Sequence, residues 1–334
     1  MQRISYTEAE TLVCAKFRGA GVHELAAKST AQALVLAEAQ GHTTHGLSRV
    51  PQYLAHLRNG RVNVQAVAQV IKSSGAVTLV DAQSGLAFPA CGLAIAGAAR
   101  SAKQHGIGIA GVINSHHAGV LGDHLRPPAE EGLVGLAFAN VPSVMPMAGG
   151  RHPVFGTNPI AAVFPRRDHS PLIIDLSLSE VTRGKIAASA KAGNPIPLGW
   201  ALDANGDPTT DAKLALSGSM LPVGAASSGK GAMLALVVEM MAATLIGAHF
   251  SFEASSFFVD EGNSPQIGQT FIAINPDALA GQDSYFDRLD FLTSELLSDD
   301  GVRLPGMRRE AILQTSKKDG IEVTPELLAL ITSA

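Results

Sequence analysis

The sequence predicts an α+β protein in which helices come first, strands fill the middle and helices return at the end. Three observations predict it. Apolar residues keep helical spacing through the first seventy positions. Seven short apolar runs bounded by Gly, Pro or Asn follow from about residue 76. Helical spacing then resumes from 284, broken around 300–306.

Taken in order, Thr7–Glu8–Ala9–Glu10 reads as a capping box opening a helix that runs to about Phe17. A second helix fits 23–40, rich in Ala, Leu and Glu. A third fits 47–59, with Leu47, Val50, Leu54 and Leu57 on one face. The runs AVTLVDA, GIGIAGVI, LVGLAFAN, NPIAAVFP, LIIDL, SSFFVD and QTFIAIN read as strands, with helices at 90–104, 181–191 and 231–247 among them. Asn205–Gly206, inside ALDANGDPTTD, marks a hairpin turn. The longest apolar run, AMLALVVEMMAATLIGAHF, carries Glu239 near its centre. A charge there would cost a few kcal/mol in lipid, so the run reads as a buried helix suited to a subunit interface rather than a membrane span.

A chain of 334 residues can bury a large core and is expected to divide into two domains. With 46% hydrophobic and 16% charged residues it is a folding sequence, not a disordered one. A formal charge of −4 argues against nucleic acid or an anionic membrane as partner. Cys14 and Cys91 fit neither a disulfide framework nor a zinc site. The start MQRISYTEAE has no apolar signal core, so the cytoplasm is the expected location.

Two glycine motifs are misleading. GAASSGKG at 224–231 matches a phosphate loop up to Lys230 but has Gly231 where the magnesium-binding Ser or Thr belongs, and its preceding segment makes a poor strand. It still opens a long helix, whose N-terminal amides attract anions; the bland alternative is a glycine-rich connector. GIGIAG at 106–111 has the dinucleotide spacing in the wrong context: Gly106 caps a helix and the rest is strand, the reverse of the required order.

GHTTHGLSRVPQYL is more informative. His45, Arg49 and Tyr53 are spaced i, i+4, i+8, which on a helix places them together on the polar side, opposite Val50, Leu54 and Leu57. A proton donor for neutral pH beside a guanidinium that grips carboxylates is what a 2-oxo acid reductase needs; a solvated helix face is the alternative. SHHAG at 115–119 follows a strand, with one of its adjacent histidines free to be structural. No Cys/His spacing suits zinc, DANGDPTTD misplaces its Gly for calcium, and no G-x-S-x-G elbow anchors a hydrolase; no metal is expected.

Together these stretches resemble the type-2 malate/L-lactate dehydrogenase family of NAD(P)-dependent oxidoreductases. The matching pieces are GHTTHGLSR, NSHHAGV, FGTNPIAAVFP, IIDLSLSEVTRGKI, NPIPLGWALDANGDPTTD, LPVG with GKG, GQTFIAINP and RLPG, in family order over roughly 5–310. The family includes malate, sulfolactate and ureidoglycolate dehydrogenases, a diketogulonate reductase, and reductases of piperideine and pyrroline carboxylates. The resemblance implies a non-Rossmann α+β fold. A helical domain from both termini (1–72 plus 284–334) would join a mixed-sheet NAD(P)-binding domain (73–283), assembled as a homodimer with the site near the interface.

Carried over by position, the resemblance implies that His45 is the proton donor, with Thr44 in place of a usual Ser, and that His117 is its rival. Arg49 would bind the substrate carboxylate and Thr157 would contact substrate. Arg183, Gly184 and Lys185 would lie between substrate and nicotinamide. The cofactor would meet His117, Ala118, Gly119, Val120 and Leu121, then Asp175, Leu176 and Ser177. Gly229 and Lys230 would meet its phosphates, and Arg303, Pro305, Gly306, Arg308 and Arg309 would form a late cofactor-binding stretch. The sequence departs from the family in a longer AASS turn before Lys230, in Pro127–Pro128 within a helical segment, and in Met307 where acidic residues are common.

The reaction these residues imply is reversible hydride transfer between NAD(P)H and C2 of a small 2-oxo/2-hydroxy acid. Arg49 would clamp the carboxylate, His45 protonate the alkoxide and Lys185 polarise the oxygen. Arg183 and Lys185 would repel a protonated cyclic imine, near which imine-reducing family members carry an acid, and would suit a malate- or sulfolactate-like second anion. A cyclic imino acid reductase is the alternative within the family. A magnesium-dependent nucleotide hydrolase built on 224–231 and a non-catalytic dinucleotide-binding protein are the alternatives outside it. Nothing in the sequence chooses NADH over NADPH.

Overall fold

The computed structural model describes residues 2–332. Its elements begin with β1 (Gln2–Ile4), α1 (Tyr6–Gly19), α2 (Glu24–Ala39) and α3 (Val50–Arg58). Next come β2 (Gln69–Ser74), β3 (Val77–Asp81), α4 (Ala87–His105), β4 (Ile107–Ser115), α5 (Arg126–Glu130), β5 (Val134–Ala139), β6 (Ile160–Arg166) and β7 (His169–Leu176). Then follow α6 (Arg183–Ala192), β8 (Ala201–Leu202), α7 (Ala212–Ser217), β9 (Ser219–Met220), α8 (Lys230–Glu239) and β10 (Ile267–Ile274). The chain ends with α9 (Gln282–Leu296), α10 (Met307–Asp319), β11 (Ile321–Val323) and α11 (Pro325–Thr332).

Seven strands form the main sheet in the order β2-β3-β4-β10-β5-β6-β7. Only β3 and β4 run parallel; every other neighbouring pair is antiparallel. This mixed sheet is not the doubly wound parallel sheet of a Rossmann domain. Helix α4 covers one face, packing Ala90, Cys91, Ala94 and Ala98 against Val80, Val112 and Phe271. GIGIAG is therefore structural. Gly106 ends α4 at φ +85°, and a Cβ on Gly108 would overlap the Ala98 carbonyl oxygen, so glycine is what lets α4 lie against β4.

The two chain ends meet. β1 pairs antiparallel with β11, and Ile4, Phe17 and Leu34 share a core with Leu313, Val323 and Ile331. Helix α9 lies elsewhere, its Tyr285 hydroxyl donating to the Pro165 carbonyl at the end of β6. Among the described residues no helix is long and apolar enough to cross a membrane.

Several local expectations need correction. Helix α1 starts two residues earlier than Thr7 predicts, because Ser5 is the N-cap and accepts from the Glu8 amide at 3.1 Å. SSFFVD is not a strand: its carbonyls bond to the side chain of Arg61 instead of a neighbouring strand. β2, β1 and β11 escaped notice because β2 is exposed along its whole length and the other two have three residues each. Tyr53 does not lie on a solvated polar face. Residues 47–49 form a tighter 3-10 turn, and Tyr53 is fully buried.

Candidate active site

Five strand ends converge on one edge of the sheet. The register pairs Ile267 with Ser115, Gln269 with Ala139, Phe138 with Ile160, and Ile160 with Leu176. The loops after β4, β5 and β7 and before β6 and β10 therefore meet, and between them lies a cavity of about 320 Å³, in the range of small-molecule sites. The turn between α2 and α3 closes one side. Glu38 anchors that turn: its carboxylate accepts from the Leu47 amide at 2.8 Å, while burial raises its pKa to about 6. A Cβ on Gly46 would collide with Glu38, which is why the turn needs glycine there.

His45 and His117 both reach the cavity, from the turn and from the end of β4, with rings stacked at 5.4 Å between centroids. Thr44 Oγ1 lies 3.0 Å from His45 Nδ1, and the Tyr53 hydroxyl lies 2.6 Å from His117 Nδ1. Burial, reinforced by the charge of Arg49, lowers His45 to about 4 and holds His117 well below the ordinary imidazole range. Both rings are neutral near pH 7. His116 turns the other way, with Nε2 2.9 Å from His56 Nδ1, and is the structural member of the pair.

Two guanidinium groups face the same space. Arg49 donates from Nε to the Thr44 carbonyl at 2.6 Å and from Nη1 to Gln52 Oε1 at 2.7 Å. Arg183, at the start of α6, donates to the Leu216 carbonyl at 2.9 Å. Both lie against the Phe258 ring, Arg49 at 5.5 Å and Arg183 at 5.7 Å from its centroid. Thr157 and Gly184 complete this side, and a Cβ on Gly184 would meet nothing within 4 Å.

The wall also includes Ala118–Leu121, Asp175, Ser177 and Arg309. The Asp175 carboxylate accepts from the Gly122 amide at 2.8 Å, and burial raises its pKa to about 6 against that bond and the nearby Arg309 charge. Arg309 Nη1 is buried without a hydrogen-bond partner, 4.0 Å from Asp123. A buried donor left open beside a cavity is suited to an anionic ligand.

Some expected residues are not on the cavity wall. Lys185 turns away over the Trp200 ring, 4.9 Å from its centroid, because two positions along α6 from Arg183 is the far side of the helix. Gly229 and an exposed Lys230 begin α8 beside Ala148, off the wall. Leu176 is exposed, and Arg303 and Arg308 are also off the wall. Pro305 and Gly306 instead pack on β7, where the Ile173 amide donates to the Pro305 carbonyl. Sequence reasoning missed His42, Asn140, Ser179, Thr182, Phe257, Phe258 and Gln269 on the wall. The Phe257–Phe258 pair was visible, but as a strand.

Residues 4–332 match the family model described as malate/L-lactate dehydrogenase. The chain is 48% identical over 309 residues to (2R)-3-sulfolactate dehydrogenase (NADP(+)) of Chromohalobacter salexigens, covering 92% of this chain and 91% of that protein. It is 35% identical over 327 residues to the Delta(1)-pyrroline-2-carboxylate/Delta(1)-piperideine-2-carboxylate reductase of Pseudomonas putida, covering 98% and 95%. Among solved structures it superposes on delta1-piperideine-2-carboxylate reductase from Pseudomonas syringae with a TM-score of 0.93 at 34% identity, covering 99% of each chain. Sulfolactate dehydrogenase from Methanocaldococcus jannaschii gives 0.90 at 30% identity, covering 99% of this chain and 95% of that one.

Proposed function

The chain belongs to the malate/L-lactate dehydrogenase family of NAD(P)-dependent oxidoreductases, and on that premise we propose that it interconverts a doubly anionic 2-oxo acid and its 2-hydroxy acid. The carrying observation is the pair of guanidinium groups, Arg49 and Arg183, lying against Phe258 on the wall that also holds His45 and His117. Arg49 binds the C1 carboxylate, and Arg183 a second anion such as a carboxylate or sulfonate. Among the described residues the one acid on the wall is Asp175, whose carboxylate is engaged by the Gly122 amide and the nearby Arg309 charge rather than by either arginine of the pair. The sulfolactate dehydrogenase relative supports this reading over the cyclic-imine one.

When bound, the nicotinamide supplies or takes the hydride. Ala118–Leu121, Ser177 and Arg309 would hold the dinucleotide, and the open donor of Arg309 fits its negative charge. The protein moves the proton. His45 is held neutral by burial and by Arg49; a carboxylate on Arg49 offsets that positive charge and raises the affinity of His45 for a proton. In reduction His45 then protonates the C2 oxygen, and in oxidation the neutral ring accepts the hydroxyl proton. His117, tied to Tyr53 and also held neutral by burial, orients beside it.

The α8 segment supports a homodimer. Met233, Leu234, Leu236, Val237 and Met240 are 40–57% exposed along it, an apolar face suited to a second copy of the chain. Light scattering on the purified protein tests this. The functional reading is tested by turnover of oxaloacetate, 3-sulfopyruvate, pyruvate and pyrroline-2-carboxylate with NADH and NADPH. Highest kcat/KM on a dianion is expected, and a clear preference for the cyclic imine overturns the assignment.

A further inference from the structure

Arg61 is 1% exposed, yet it makes no ion pair among the described residues. Burying a guanidinium without a carboxylate is costly unless its donors are used well. Here they are used mainly on one segment, with Nη1 also 3.0 Å from His56 Nε2. Nε donates to the Asn263 carbonyl at 3.1 Å, Nη2 to Ser255 at 3.0 Å, and Nη1 to Ser256 at 3.0 Å and to Val259. One side of α3 adds further ties: His56 Nε2 lies 3.0 Å from the Val259 carbonyl, and Asn59 donates to Asp260 at 3.2 Å. The strap 255–263 is thus fastened at several carbonyls, and it carries Phe257 and Phe258 to the cavity wall.

The strap reaches the carboxylate-binding arginine in two ways, through Gln52 and through Phe258. Gln52 donates from Nε2 to the Phe257 carbonyl and accepts from Arg49 Nη1 at 2.7 Å. Phe258 meanwhile lies under the Arg49 guanidinium. An arginine side chain has many rotamers, and these two contacts select one.

We propose that Arg61 and Gln52 are positioning residues for carboxylate recognition: Arg61 fixes the strap, and Gln52 transmits its position to Arg49. The proposal rests on the reading of Arg49 as the carboxylate clamp. Neither residue touches substrate, so both act on how well Arg49 is aimed.

The test compares the wild type with Arg49→Met, Gln52→Leu and Arg61→Lys. KM and kcat are measured on oxaloacetate and 3-sulfopyruvate, and NADPH binding is followed by fluorescence. Gln52→Leu preserves volume, and Arg61→Lys preserves charge but cannot reach all four carbonyls, so both are chosen to fold. Each is expected to raise KM roughly tenfold, as loss of a hydrogen bond to a charged group does, with kcat and NADPH binding held within about threefold. Arg61→Lys is also expected to speed proteolytic cleavage within 255–263, whereas Gln52→Leu is not. If Arg49→Met raises KM and the other two do not, the positioning role is wrong while the clamp stands. If KM, kcat and NADPH binding all worsen together, the residues are merely structural. If Arg49→Met itself leaves KM unchanged, the clamp reading fails and this proposal fails with it.

Discussion

Replacing Arg183 with methionine separates substrate classes most directly. Arg183 has five N–H donors, of which the structure commits one, to the Leu216 carbonyl at 2.9 Å. The rest can serve a second anion, with Arg183 sharing the Phe258 ring with Arg49. A hydrogen bond to a charged group is worth about 1.5–3 kcal/mol, and the partial exposure of Arg183 puts it at the lower end. About 1.5–2 kcal/mol corresponds to roughly a 10–30-fold rise in KM for oxaloacetate and 3-sulfopyruvate. Pyruvate has no second anion, so its KM should move by less than about threefold, within the energy of a lost surface contact. Initial rates followed by nicotinamide absorbance suffice. Equal changes on all three acids would refute a second-anion role and leave Arg183 as a packing residue against Phe258.

Asp175 gives a prediction in pH. Its folded pKa of about 6 lies above the ordinary carboxylate value, so its stabilising contribution is full below about pH 4 and lost as pH rises through 6. Asp175→Asn should therefore stabilise the ligand-free protein by about 1–3 kcal/mol at neutral pH and not at about pH 4, read as a Tm difference. Glu239→Leu removes the acceptor for Asn140, Asn158 and both the amide and hydroxyl of Ser251, and should cost at least about 3 kcal/mol in urea unfolding. Arg309→Met should raise the KM for the dinucleotide roughly tenfold, consistent with loss of a charge-assisted bond, while Lys230→Ala, off the cavity wall, should change it by less than about threefold.

Much of this was legible because the relevant signals are local. Strands β3 to β7 and β10 are apolar runs with turn residues at their ends, and the GHTTHGLSR and NSHHAGV pieces carry their chemistry within a few positions. What escaped depends on distant partners. SSFFVD has strand composition, and only the placement of Arg61, nearly two hundred residues earlier, takes its carbonyls out of any ladder. Tyr53 looked like part of a polar face, because nothing in the sequence near it announces that a histidine 64 residues later will partner its hydroxyl. Lys185 and Arg183 looked equivalent as charges. A helix turns them to different surroundings, and only Arg183 faces the cavity.

The electrostatics of the cavity tie these residues into one device. Among the described residues its wall carries Arg49, Arg183 and Arg309 against the single carboxylate of Asp175, which burial already draws towards neutrality. Both site histidines stay uncharged, chiefly because they are buried and secondarily because of the Arg49 charge. A cavity of this kind favours anions, and His45 becomes a competent acid when one of those anions occupies Arg49. Binding of the carboxylate and readiness for proton transfer are then one event, so a molecule without a carboxylate should lose turnover as well as affinity. The same coupling predicts that the apparent pKa governing kcat lies above the one governing kcat/KM, since only the former reports the site with its arginine neutralised.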